Sequence, residues 1–113
     1  MTRRGEIYIV SFEPVRGFEQ GGIRPALVIQ NNEGNEFAST TIVAALTGRH
    51  RDDYPIRVFV APKHSGLAEA SSVMLDQIRT ITKERLGRKV GELTVEKMSE
   101  VDDALRYSLG LFS

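Results

Sequence analysis

The amino-acid sequence predicts a mainly β fold with α structure: a curled antiparallel sheet or small barrel with one C-terminal helix packed on it. Three observations lead there. Short alternating or apolar runs rich in β-formers recur from residue 5 to residue 90, separated by glycine, proline and asparagine clusters. Only after Thr94 does the apolar spacing change to three and four. Strands first and one helix last fit a sheet with a helix on one face. The 113 residues suit a single domain spanning 1–113, because two cores of half that size would each be marginal.

Each element has its own signal. Residues 5–11 alternate, with Ile7 and Ile9 facing one way and Glu6 and Tyr8 the other. Residues 26–30 form a short apolar run, read as a buried strand, and Asn31 to Asn35 a turn cluster. Residues 40–47 make a third strand, Arg49 to Asp53 a polar loop, and residues 56–60 a fourth strand. Ala61-Pro62 ends it, since proline cannot donate to a ladder. Residues 64–71 read as loop and 72–81 as a fifth, bent strand. A helical turn at 83–86 and a short strand at Lys89-Val90 follow. Thr94 is the helix N-cap. Met98, Val101, Leu105, Leu109 and Phe112 then line one helix face, read as core packing.

Composition excludes several classes. No run approaches the roughly 20 apolar residues of a membrane span, and the N-terminus lacks the apolar segment of a signal peptide. There is no cysteine, which removes disulfides and thiolate metal sites and fits a cytoplasmic protein. Fifteen Lys and Arg balance fifteen Asp and Glu, which argues against a generic nucleic-acid coat protein. Two local basic clusters, Arg49-His50-Arg51 and Lys83 to Lys89, read as solvated surface or as local anion sites.

The connection at residues 12–24 is too long for an ordinary hairpin and contains Gly17, Gly21 and Gly22. It is either a functional loop or a loose surface one. At its end stands Arg24, which Pro25 biases to an extended backbone at the mouth of the buried run. A guanidinium there offers a fork of donors matched to phosphate oxygens. An ion pair with a carboxylate such as Glu19 suits the same residue.

These segments carry a resemblance. Arg4-Gly5-Glu6-Ile7-Tyr8, then Pro14, then Gly17 to Asn31 with Glu19-Gln20-Gly21-Gly22 and Arg24-Pro25, resemble the opening of the MazF/PemK family of toxin endoribonucleases, in its Gram-positive-type branch. The similarity continues through Ile42 to Thr47, Leu75 to Ile81 and the closing helix. It implies an SH3-like, CcdB-like fold, a homodimer, and the toxin component of a type II toxin–antitoxin system. It also implies sequence-specific, metal-independent cleavage of single-stranded RNA with no cofactor. The implied partners are single-stranded RNA and a cognate MazE-like antitoxin with an acidic disordered segment.

The family's catalytic arginine and threonine fall on Arg24 and Thr47. The implied chemistry is attack of a ribose 2′-OH on its own 3′-phosphate, so the substrate brings the nucleophile. The protein has to hold the linkage in line and stabilise charge on the phosphate. Arg24 suits the second task, since a guanidinium is a poor proton carrier. Thr47 would orient a phosphate oxygen or the attacking hydroxyl. Single strands fit this chemistry, because an A-form duplex hides base edges in a narrow groove.

Candidate RNA contacts are Phe18, which either stacks a base or anchors the loop, and the base-edge readers Glu19, Gln20, Asn31 and Gln77. Asp76 stands where the family's pattern has glutamate, which bears on sequence preference. His50, Arg49 and Arg51 lie outside the matched pattern, although histidine suits proton transfer near neutral pH. The two histidines, His50 and His64, do not cluster with acids, so no metal ligand set is expected. A neutral total is compatible with such an enzyme, which needs only one short positive groove. Two rival readings remain at this level: a CcdB-like DNA gyrase inhibitor on the same fold, and a non-catalytic module that binds an acidic peptide.

Overall fold

The computed structural model describes residues 1–13, 16–19, 21–50 and 54–111. Among these residues, six strands and two helices follow in order: β1 (Glu6–Ser11), β2 (Ile23–Val28), α1 (Asn32–Phe37), β3 (Thr40–Thr47), β4 (Arg57–Val60), β5 (Ser71–Thr82), β6 (Leu86–Glu92) and α2 (Val95–Leu109). Short 3₁₀ turns occupy Pro62–His64 and Lys83–Arg85. The strands form one sheet in the order β4-β5-β3-β2-β1-β6, with every pair antiparallel. The sheet curls without closing into a barrel ladder. Its edges meet at one seam, where the Glu92 N–H donates to Ser65 O at 2.9 Å and the Thr94 N–H to His64 O at 3.0 Å.

Strict alternation divides the side chains between two faces. One face buries Ile7, Leu27, Ala44, Leu46, Val58, Val60, Val73 and Leu75, and α2 adds Val101 and Ala104 to this core. The other buries Val10, Phe12, Ala26, Val28, Val43, Ala45 and Met74. A break in register sits in β5. Ala44 pairs with Ile78 while Leu46 pairs with Val73, so residues 74–77 bulge opposite Ala45. Bulges re-aim side chains next to functional sites, and this one carries Asp76 and Gln77.

α2 begins at Thr94, whose Oγ1 accepts from the Lys97 N–H at 3.3 Å, and ends at Gly110 with φ of 70°. Val101 and Ala104 are buried, with Met98 and Leu105 partly so. Leu109, expected in the stripe, is exposed. Phe112 lies outside the described residues.

Three elements differ from the sequence reading. β2 starts at Ile23, so Arg24 and Pro25 lie within it. Proline is tolerated there because β2 pairs only with β1 at that point; its pairing with β3 starts at Ala26. The cluster at 31–35 is the start of a helix, not a turn. Asn31 Oδ1 accepts from the Gly34 N–H at 2.8 Å, and the buried Asn35 is held by Gln30 O at 2.9 Å and by the Thr41 hydroxyl at 2.7 Å. These tertiary bonds override weak helix propensity. β6 extends from Leu86, its polar outer residues being supported by β1.

Candidate active site

The long connection between β1 and β2 is pinned at its base. The Phe12 N–H donates to Gly22 O at 2.9 Å, and the Gly22 N–H to Glu13 Oε1 at 2.8 Å. Gly22 has φ of 82°, which favours glycine. Arg79 Nη1 donates to Phe12 O at 2.9 Å and Arg85 Nη1 to Glu13 O at 2.8 Å. Arg85, which the sequence reading placed in a solvated basic cluster, therefore holds the loop. At the tip, Phe18 is fully exposed. Glu19 folds back so that its Oε1 accepts from the Arg16 N–H at 2.8 Å.

Arg24 points from β2 toward the end of β3. Its Nε donates to Gly21 O at 3.0 Å and its Nη1 to Leu46 O at 3.1 Å. These carbonyl bonds, and not an ion pair with Glu19, fix the guanidinium among the described residues. The half-buried Thr47 comes directly after Leu46 and accepts through Oγ1 from the Arg49 N–H at 3.2 Å. Arg24 and Thr47 line one cleft of about 260 Å³ with Pro25, Leu46, Gly48 and Ser71. Strand ends far apart in sequence thus bring a fixed positive charge and a hydroxyl to one opening.

A second cleft of about 420 Å³ gathers Phe18, Glu19 and Gln77 with Phe12, Asp76 and Arg79. Ala45, two residues before Thr47 on the same strand face, forms part of its wall. Asn31 lines neither cleft; its side chain caps α1. Gln20 and Arg51 lie outside the described residues.

Sequence reasoning missed the ion pair that holds Asp76, a residue of the second cleft's wall. Arg57 Nε donates to Asp76 Oδ1 at 3.3 Å and Nη2 to Oδ2 at 3.2 Å, with the guanidinium 5.2 Å from the Tyr54 ring centre. The alternation of residues 56–60 would have placed Arg57 on this face, but only the bulge brings Asp76 to it. His50 Nδ1 lies 2.6 Å from Ser72 Oγ. Among the described residues, no three His, Asp or Glu side chains cluster as metal ligands, and no helix is long and apolar enough to cross a membrane.

Residues 3–109 match the family model described as a PemK-like, MazF-like toxin of type II toxin–antitoxin system. Solved structures are similar over nearly the whole chain. An endoribonuclease in complex with its cognate antitoxin, from a mycobacterial species, is 27% identical with a TM-score of 0.84, covering 100% of this chain and 99% of that one. MazF from Deinococcus radiodurans is 27% identical with a TM-score of 0.82, covering 96% of both chains. A MazE–MazF complex from the same organism is 28% identical with a TM-score of 0.75, covering 98% of this chain and 97% of that one.

Proposed function

The chain belongs to the PemK-like, MazF-like toxins of type II toxin–antitoxin systems, and on that premise we propose that it is an endoribonuclease cutting single-stranded RNA in the Arg24–Thr47 cleft. The observation that carries this reading is the anchoring of Arg24 on Leu46 O beside Thr47. The reaction is transesterification. The 2′-oxygen bonds to the adjacent phosphorus, the bond from phosphorus to the 5′-oxygen breaks, and the products end in a 2′,3′-cyclic phosphate and a 5′-hydroxyl. In the transition state negative charge grows on the non-bridging oxygens. A guanidinium held in place before the reaction stabilises that charge without reorganising. Thr47 Oγ1 accepts from the Arg49 N–H, which leaves its own hydrogen to donate to a phosphate oxygen or the attacking hydroxyl.

Sequence preference belongs to the second cleft in this reading. Phe18 offers a face on which a base stacks, and Glu19 and Gln77 offer acceptors and donors to base edges. Gln20 and Asn31 are further base-edge readers on the strength of their donors and acceptors alone. We read residues 1–113 as one toxin domain that works without metal or cofactor in the cytoplasm as a homodimer. A cognate MazE-like antitoxin restrains it, in keeping with the antitoxin complexes among its structural neighbours.

The decisive test is an RNA with one mapped cut and its counterpart carrying a single 2′-deoxy nucleotide at that linkage. The all-ribose RNA is expected to be cut, in EDTA as well, and to leave a cyclic phosphate, while the deoxy counterpart stays intact. A requirement for added magnesium would sink the metal-free mechanism. Inhibition of gyrase without RNA cleavage would favour the CcdB-like alternative.

A further inference from the structure

We infer, on the premise that this cleft cuts RNA, that His50 and Phe59 form a stacking platform for a nucleobase next to the scissile linkage. The ladders set Thr47 opposite Ser72, and Ser72 opposite Phe59. Directly paired residues point to the same face, with Cβ atoms about 4.5–5.5 Å apart. Thr47, Ser72 and Phe59 therefore make a row across β3, β5 and β4, and Thr47 at its end lines the cleft with Arg24.

His50 leaves β3 three residues beyond Thr47 and returns to this row. Its Nδ1 lies 2.6 Å from the Oγ of Ser72, which is fully buried. The imidazole is thereby oriented, with its centre 4.8 Å from the Phe59 ring at an interplanar angle of 60°. Lys97 Nζ donates to Phe59 O at 3.0 Å and steadies the strand beneath. Both rings nevertheless face solvent, Phe59 being 41% exposed. Scattered exposed aromatics are ordinary. Here a loop side chain is fixed against the sheet by a buried hydroxyl beside another open ring. Rings ordered in advance lose little freedom when a base stacks on them.

The platform lies about two strand spacings of roughly 4.8 Å from Thr47, within reach of a neighbouring unstacked nucleotide. The Phe18 cleft is reached along β3 through Ala45, whereas the platform is reached across the sheet through Ser72. The two aromatic sites therefore serve different nucleotides.

The test uses an RNA with one mapped cut and versions in which single flanking nucleotides carry an abasic ribose. With wild-type protein, one abasic position next to the cut raises KM on the order of 10-fold. In the His50→Ala, Phe59→Ala double variant, the intact RNA shows that raised KM already, and the same abasic position costs nothing more. An abasic nucleotide at the Phe18 subsite keeps its full penalty in the double variant. His50→Phe, which keeps a stacking face but not the bond to Ser72, recovers most of the lost KM relative to His50→Ala and keeps the wild-type pH profile. Should the double variant fail to fold, the exposed single variants His50→Ala and His50→Phe give the same comparison. An unchanged KM in the alanine variants, or abasic penalties that persist in full, overturns the platform. Loss of kcat with an altered pH profile in His50→Phe overturns it in favour of proton transfer. If the wild-type protein cuts no RNA at all, the endoribonuclease reading falls and the platform falls with it.

Discussion

Arg24 is anchored on the strand that carries Thr47, its Nη1 donating to the Leu46 carbonyl at 3.1 Å. A second bond from Nε to Gly21 O ties the same guanidinium to the glycine-rich connection. In the proposed reaction, removing the guanidinium deletes the charge that stabilises the phosphate. Arg24→Ala is expected to lower kcat by about 10²–10³, measured on an RNA with a single cut site. Arg24→Lys should recover only part of this, because an ammonium cannot bond both carbonyls in one plane. Near-full activity in Arg24→Ala would remove this residue from the reaction.

Phe18 is exposed at the loop tip, yet lines the cleft with Gln77. Its ring buries nothing in the free protein, so Phe18→Ala should leave the urea midpoint unchanged. KM for RNA should rise on the order of 10-fold, with kcat nearly constant. A fall in stability instead would make Phe18 a packing anchor.

Much of this arrangement is legible in the sequence, because alternation, proline positions and glycine clustering are local signals. They located the long connection, the body of the second strand though not its start at Ile23, and the strand ending at Thr47. What was not legible depends on contacts between distant segments. The helix at Asn32–Phe37 rests on the bond Asn35 donates to Gln30 O and the one it accepts from the Thr41 hydroxyl. The pairing of Arg57 with Asp76 needs the bulge in β5, which no local pattern announces. The same holds for His50, whose partner Ser72 is defined only by the ladder between β3 and β5.

Glu6 ties β1 to β6. Its Oε2 lies 2.9 Å from Lys89 Nζ, and its Oε1 accepts from the Arg3 N–H at 2.7 Å and the Tyr8 hydroxyl at 2.9 Å. Burial pushes the carboxyl up, but the bonds from Lys89, Arg3 and Tyr8 together hold it below its ordinary value. A depressed carboxylate contributes stability above its unfolded value and loses it as pH falls through the folded one. On the alkaline side, burial and the bond to Glu6 raise Tyr8, and the bonds to Glu6 and Glu92 raise Lys89. That contribution is present below their ordinary values and lost as pH rises through the raised ones. Glu6→Gln should therefore lower stability at neutral pH and flatten both limbs of the profile. Urea midpoints from about pH 3 to about pH 11 check this; an unchanged acid limb would show that Glu6 does not couple to folding.

Asn31 has two roles to separate, the observed cap of α1 and the base-edge contact expected from its amide. Asn31→Ala should cost about 1 kcal/mol of stability through loss of the cap. Asn31→Ser keeps a capping oxygen but removes the amide, so stability should be nearly restored. A raised KM in Asn31→Ser alone would then assign base reading to the amide, and an unchanged KM would leave Asn31 a cap.

Gly91 sits where the two edges of the sheet meet. A Cβ built on it would stand 2.4 Å from Ser65 O, a backbone atom that cannot swing aside like a flexible side chain. The same carbonyl accepts from the Glu92 N–H at 2.9 Å, and the adjacent His64 carbonyl accepts from Thr94 at 3.0 Å. Any shift that admits a methyl group therefore strains the seam that joins β6 to the turn after β4. Gly91→Ala should destabilise by about 1–3 kcal/mol, the usual range for overpacking. Gly48 provides the control: no atom of the described residues approaches a Cβ there within 4 Å and its φ is not positive, so Gly48→Ala should leave stability unchanged. Hydrogen exchange localises the effect, since the Glu92 and Thr94 amides should lose protection in Gly91→Ala while those of β2 and β3 keep theirs. Equal stability of the two variants would mean that the seam bears no load in the fold.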